Sequence, residues 1–425
     1  MRILWITNTI FPAPSIAMGL KTPVSGGWMY GLAEQVAKQD NITLAIASCY
    51  SGKVVRKDLI EGITYYTIPF KNHNQYPKEL EPYWKLICEE FKPDIIHIHG
   101  TENLRALPCM KGYPDCKYVV SIQGMSGPHS RYVLGGIAIK DLLKNITLRD
   151  VLRNDTLLQI KRRWEKKGEI EKEYYLRANI IIGRTSWDYA RAKTINKRCN
   201  YSFCNESMRD YFYESKKWNI RNCTNYSIFL SQAGSPLKGL HKVLEAVQFI
   251  KDEFPDLIIR IAGNNIIANK TLCNKIRISG YGKYIRSLLR KYKLFDHVQF
   301  LGPLDAKAMV REYQNAHVFI CPSSIENSPN SVGEAQIIGT PVIASYVGGT
   351  PDMVTHNETG LLYRFEEVEM LAEYIRKIFT SDELANKLSK HGIAVAEKRH
   401  DREANLKQML GIYEKIMIDD TQNTF

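Results

Sequence analysis

The sequence predicts an α/β protein made of two doubly wound, Rossmann-like domains facing each other across a cleft. Three observations carry this. Short apolar runs alternate with amphipathic helical stretches, the pattern of a parallel sheet with crossover helices. The alternation runs through once, stops at the polar stretch "YESKKWNIRNCTN" (213–225), and then starts again. At 425 residues the chain is also long for one domain.

The first half opens with the strand "RILWITN" and a glycine-rich loop, "TPVSGGWMYGLAEQVAKQ", that runs into a helix. Met29, Leu32, Ala33, Val36 and Ala37 share one face of that helix. The strand "ITLAIASC", a strand pair around "EGITYYTIPF" and a helix through "EPYWKLICEEF" follow. "PDIIHIHG", "KYVVSIQG" and "RANIIIGRT" complete the set as buried strands. In the second half, "YSIFLSQAG", "LIIRIAGN", "HVQFLGPL", "HVFICPSS" and "PVIASYVGG" read as strands, with helices between them. The expected domains are therefore 1–215 and 216–402, with an amphipathic helix in 403–425 crossing back to the first domain.

Composition narrows the function classes. The chain is 44% hydrophobic and 24% charged, ordinary for a globular protein. No apolar run reaches the roughly 18–20 residues of a spanning helix. The first strand begins at Met1, so no signal peptide is expected and the expected location is cytoplasmic. Nine cysteines without C-x-x-C spacing read as reduced thiols. The net charge is +13, and residues 139–221 hold 20 Lys and Arg against 11 Asp and Glu. Such a segment is either a solvated helix face laced with i,i+4 pairs or a patch for an anionic membrane surface. Nucleic-acid motifs are absent from it, and no nucleic-acid partner is expected.

The stretch "CPSSIENSPNSVGEAQIIGTPVIAS" (321–345) carries the most chemistry. A turn-rich loop between a strand and a helix offers free backbone N–H groups to an anion. Asn330 or Ser331 is the expected N-cap, with Glu334 in the first turn and Gly339 ending the helix. Two carboxylates beside an anion cradle need hydroxyl partners, because a carboxylate only accepts hydrogen bonds. Glu334 then suits a ribose diol and Glu326 a sugar diol, while the backbone takes phosphate.

This stretch resembles the signature of the retaining GT-B glycosyltransferases, and of glycosyltransferase family 4 (group 1) of the capsule and exopolysaccharide type. That family carries two glutamates eight positions apart, here Glu326 and Glu334, then a "G-x-P-V-I-A-S" strand and a G-G loop, here "GTPVIAS" and Gly348-Gly349. "PLKGLHKVLEAV" resembles its K-G segment, whose lysine contacts the donor diphosphate; that is Lys238. The resemblance implies Glu326 and Lys238 as catalytic residues, Glu326 by aligning the donor sugar rather than as a nucleophile. It implies donor binding by Glu334, Asn330, Ser331, Val332, the base-packing turn Gly302 to Leu304, the glycine loop at Gly26 and Gly27, and Gln123. The family usually has an arginine where this chain has Ala233, and Arg184 is a candidate replacement. It often has a histidine at Gln123. The implied reaction needs no cofactor. It takes a sugar from a nucleotide-diphosphate donor to a glycan or lipid-linked saccharide, as in cell-surface polysaccharide synthesis. No D-x-D occurs, so a metal-bridged donor is not expected. A nucleotide-sugar epimerase, or a sugar- or lipid-binding scaffold without turnover, would share this architecture.

Overall fold

The computed structural model describes residues 1–20, 27–70, 75–268 and 277–418. The chain forms two compact units. The first comprises Met1–Pro128, Arg163–Arg209 and His400–Phe425, the second His129–Arg162 and Asp210–Arg399. The expected first span, 1–215, is thus interrupted: residues 129–162 cluster with the second unit, while the terminal helix Arg402–Ile418 clusters with the first.

The first unit is built on eight strands: β1 (Arg2–Thr7), β2 (Thr43–Tyr50), β3 (Arg56–Ile60), β4 (Ile63–Pro69), β5 (Ile95–His99), β6 (Lys117–Ser121), β7 (Ile180–Gly183) and β8 (Asn200–Phe203). They lie in the order β3-β4-β2-β1-β5-β6-β7-β8. All neighbours are parallel except β3 and β4, an antiparallel edge pair joined by a tight turn. The central strands are buried on both faces, which is why they read as continuous apolar runs. On one face Met29, Leu32 and Val36 of the helix Gly27–Ala37 pack with Met409, Ile412 and Tyr413 of the terminal helix. On the other, Trp84, Ile87, Tyr174 and Tyr175 fill the core.

A buried polar chain latches the terminal helix down. Trp5 Nε1–H donates to the Tyr413 hydroxyl at 3.0 Å, and that hydroxyl is 2.6 Å from His97 Nδ1. Nε2 of the same imidazole is 2.7 Å from Ser121 Oγ. Burial, then the neighbouring His99, holds His97 far below the ordinary histidine range, so the ring is neutral. In the neutral ring one nitrogen donates and the other accepts, so Tyr413 and Ser121 are bonded at its two ends. The histidines of "PDIIHIHG" are core groups of the first unit.

In the second unit β9 (Thr224–Leu230), β10 (Ile258–Ala262), β11 (Val298–Gly302), β12 (Ala316–Cys321), β13 (Val342–Ser345) and β14 (Leu361–Tyr363) are all parallel, in the order β11-β10-β9-β12-β13-β14. Counted within the unit this is 3-2-1-4-5-6, the doubly wound order. β14, three residues long, is too short for its pattern to stand out in the sequence.

The stretch 129–162 is stapled to this unit by side chains reaching main chain. Thr147 Oγ1 donates to Ile278 O at 3.0 Å, Gly280 N–H to Asp150 Oδ2 at 2.7 Å, and Ser324 Oγ to Tyr132 O at 3.1 Å. His241 Nε2 lies 2.7 Å from Gly135 O. Among the described residues no helix is long and apolar enough to cross a membrane.

Candidate active site

A doubly wound sheet opens a crevice beyond its carboxyl ends where the winding reverses. In the second unit that point lies between β9 and β12, and each strand feeds one loop into it. The β9 loop ends in the short turn Pro236–Lys238 and the left-handed Gly239 (φ +68°). A Cβ at Gly239 would collide with the Pro322 carbonyl, so only glycine lets the two loops press together. Ser324 N–H then donates to Leu237 O at 2.8 Å. The result is an ion pair between residues 88 apart in sequence: Lys238 Nζ lies 2.5 Å from Glu326 Oε1.

Ser323 Oγ donates to the same carboxylate oxygen at 2.7 Å. Burial pushes Glu326 upward, but Lys238, Ser323 and then His129 outweigh it and hold the carboxyl below its usual range. Burial likewise opposes charge on Lys238, and Glu326 overcomes it, raising the ammonium above its ordinary value. Both partners are therefore ionised at neutral pH. Burial holds His129 down to about 4, with Glu326 pulling it up and Lys238 pushing it down. The Glu326 backbone is fixed as well. Gly349 N–H donates to its carbonyl at 3.0 Å, and a Cβ at Gly348 (φ +52°) would strike that carbonyl. The two glycines read from sequence as a G-G loop are the seat of Glu326.

The helix after this loop spans Asn330–Ile338 and ends at Gly339 as expected, but its start differs. Pro329 is the N-cap and no side chain caps the helix, so Asn330 and Ser331 are its first two residues. Glu334 is consequently the fifth helical residue, one or two positions further in than expected. The Val332 N–H donates to Pro329 O at 2.9 Å, so this amide is engaged within the helix's own first turn. Glu334 is buried, and its Oε2 accepts from the Tyr313 hydroxyl at 3.1 Å. Gly302 ends β11 at the sheet edge, where its carbonyl accepts from Gly263 N–H at 2.8 Å. Leu304 is half-buried in the following turn, before the helix Ala306–Asn315 that Asp305 caps.

The structure thus joins Lys238 to Glu326 and sets Asn330, Ser331, Val332 and Glu334 along one helix. Gln123 belongs to the first unit. Its Nε2 donates to Glu206 Oε1 at 2.5 Å, and its Oε1 accepts from Arg184 Nη2 at 3.4 Å. Arg184 is itself paired with Glu206. Arg184 is thereby committed to a buried pair of the first unit. Gly26 lies outside the described residues, and Gly27 is the first residue of its helix. Sequence reasoning missed Ser323, His129 and Tyr313. Ser323 stands three residues before Glu326 in the quoted loop, and His129 is the last residue of the Gly and Ser run "QGMSGPH". Tyr313 lies in the helix before β12, with no local signal. Among the described residues no group of three or more His, Cys, Asp or Glu is placed to hold a metal ion.

Residues 212–395 match the family model of the group 1 glycosyl transferases. YtcC of Bacillus subtilis (strain 168), a provisionally named glycosyltransferase, is 23% identical over 98% of this chain and 93% of its own length. A D-inositol 3-phosphate glycosyltransferase of Corynebacterium urealyticum is 27% identical over 42% of this chain and 41% of its own. Among solved structures, sucrose-phosphate synthase from Thermosynechococcus elongatus superposes with a TM-score of 0.72 at 18% identity, over 99% of this chain and 100% of that one. Anabaena Alr3699/HepE in complex with UDP-glucose gives 0.67 at 14% identity, over 98% and 100%. The fold is GT-B, and these matches support a glycosyltransferase of group 1.

Proposed function

We propose that this group 1 glycosyltransferase moves a sugar, with retention of its anomeric configuration, from a nucleotide-diphosphate donor to a lipid-linked glycan acceptor in cell-surface polysaccharide synthesis. The observation that carries the reading is the Lys238–Glu326 pair at the winding reversal, with both groups ionised. A diphosphate entering this crevice meets an ammonium already desolvated and seated, so little reorganisation is needed at the moment of reaction. Lys238 Nζ takes the leaving phosphate oxygen. Glu326 then accepts from hydroxyls of the donor sugar and fixes its orientation. Glu334, already holding Tyr313, accepts from the ribose. Asn330 and Ser331 stand at the helix start that faces negative charge, and the Gly302–Leu304 turn supports the base.

In the transfer step the bond from the anomeric carbon to the diphosphate oxygen breaks. The acceptor oxygen bonds to that carbon on the same face, and its proton passes to the departing diphosphate. The protein supplies position and charge rather than a nucleophile. The basic stretch within 139–221 supports a place at the inner face of the membrane, where a lipid-linked acceptor resides.

The first experiment is a thermal-shift panel of UDP, GDP, ADP and CMP with their sugar conjugates. UDP leads it because Alr3699/HepE was solved with UDP-glucose. A ligand at 100 times its dissociation constant adds about 2.7 kcal/mol to stability. One nucleotide standing out supports the reading, and the anomer of the product, read by NMR, tests retention. Silence across the whole panel counts against a nucleotide-sugar site.

A further inference from the structure

Within the stretch 129–162, two short helices, Ile139–Lys144 and Leu148–Leu152, leave aliphatic side chains facing outward. The first buries Leu142 but exposes Ile139 and Leu143, and the second buries Asp150 alone. Asp150 and Asn145 are buried. Thr147 and Asp150 cap the second helix reciprocally and also bond the main chain at Ile278 and Gly280. Lys283 Nζ donates to Lys144 O at 3.0 Å. Outward, Ile139 and Leu143 are 59% and 54% exposed, and Leu148, Val151 and Leu152 are 70%, 59% and 76% exposed. The spacings are i,i+4 in the first helix and i,i+3,i+4 in the second, so each set shares one face. Single exposed aliphatics need no explanation, but five within 14 residues, held outward by buried polar anchors, form a patch.

We propose that this face docks on the surface of an anionic phospholipid bilayer, its five aliphatic side chains entering the acyl boundary. The inference rests on the reading of a lipid-linked acceptor and deepens it by naming the surface that meets the membrane. Charge argues for lipid: residues 139–162 carry six Lys and Arg against three Asp. Asp150 is buried, and both it and Asp155 are occupied by Arg149, while Lys140, Lys144 and Arg153 are exposed beside the patch. Long cationic side chains can reach headgroups while the aliphatic groups sink. Composition argues against a protein partner, whose binding face would favour Tyr, Trp and Arg and avoid Lys. Behind the patch lies a cavity of about 480 Å³ whose apolar wall includes Leu142, Leu143 and Ile146. Pro236, two residues before Lys238, borders the same cavity.

The test is co-sedimentation of the full chain with vesicles of phosphatidylcholine alone and of phosphatidylcholine mixed with phosphatidylglycerol. The expected result is partition onto the mixed vesicles, weakened but not abolished by salt because the apolar contribution remains. The double variant Leu148→Glu/Leu152→Glu should partition about tenfold or more weakly. Nucleotide-induced thermal shift is measured on the same variant. An unchanged shift shows that the fold and donor site are intact, and it separates failure of the docking face from failure of the glycosyltransferase reading. The proposal is overturned if wild type ignores both vesicle types, or if the variant binds as well as wild type. It is equally overturned if the variant abolishes a concentration-dependent dimer instead, which would make a second copy the occupant.

Discussion

At the winding reversal of the second unit a lysine meets a glutamate, Lys238 Nζ to Glu326 Oε1 at 2.5 Å. At the corresponding reversal of the first unit, between β1 and β5, an amide meets one: Asn8 Nδ2 donates to Glu102 Oε1 at 2.8 Å. The winding is alike, but the charge is not. Glu326 is held below the usual carboxylate range by its lysine, serine and histidine neighbours despite burial. Glu102 is raised by burial, and Glu171, which accepts from Thr101 Oγ1 at 2.7 Å, is pushed up to about 8, again by burial. One reversal is a pair of seated charges; the other holds two carboxyls that burial pushes up, Glu171 as far as about 8. The winding order decides where a crevice forms, and the loop residues decide which chemistry it can host.

The largest effect that tests this contrast comes from Lys238→Ala. Transfer should fall by about 10²–10³-fold, the cost of removing a seated electrostatic group, while nucleotide affinity moves much less. Turnover at the wild-type rate would remove the leaving-group role. Because the variant also strands a buried Glu326, its melting temperature should fall; adding Glu326→Gln should restore stability but not activity.

Glu334→Ala comes next. Loss of a charged hydrogen bond is worth roughly 1.5–3 kcal/mol, so nucleotide affinity should drop by about ten- to a hundredfold, read by calorimetry. Unchanged affinity would leave Glu334 as no more than the partner of Tyr313.

The pH dependence of stability should have opposite signs at the two reversals. Glu171 has a folded pKa of about 8, above its ordinary 4.5. The folded state therefore binds a proton that the unfolded state releases, and stability falls as pH rises between those values, by up to ~1.4 kcal/mol per unit. Glu326 is depressed, so its contribution is present above the ordinary carboxylate value and is lost as pH falls through the folded one. Thermal melts from pH 5 to 9 should show the first slope, and Glu171→Gln should flatten it. A slope that persists in that variant would place its source elsewhere.

The smallest effect belongs to Asn8→Ala. It should cost about 1 kcal/mol, one hydrogen bond, and leave the thermal response to nucleotide intact. A lost response would mean that the first reversal also serves the donor, and the contrast between the two units would collapse.

Much of this was legible in the sequence. The strands "HVFICPSS" and "PVIASYVGG" and the Gly339 helix stop follow from local pattern, and the family resemblance implied that Lys238 and Glu326 serve one site, where they pair. Periodicity and turn chemistry are set by residues a few positions apart, and those positions are written side by side. The exact start of the helix was not legible. Pro329 takes the N-cap place that Asn330 or Ser331 suggested, which moves Glu334 one or two positions inward.

By itself, then, the sequence determined the alternation of elements, the two doubly wound sheets and the loops that carry the chemistry. Only the tertiary structure decided that 129–162 clusters with the second unit, that Gly349 fixes the Glu326 backbone, and that Arg184 is committed to Glu206. It alone decided that Glu326 stays charged while Glu171 does not, and that the aliphatic face of 139–152 points outward. The physical reason is the same in each case. Burial, and the partner that compensates for it, depend on residues tens to hundreds of positions away, brought together only by packing.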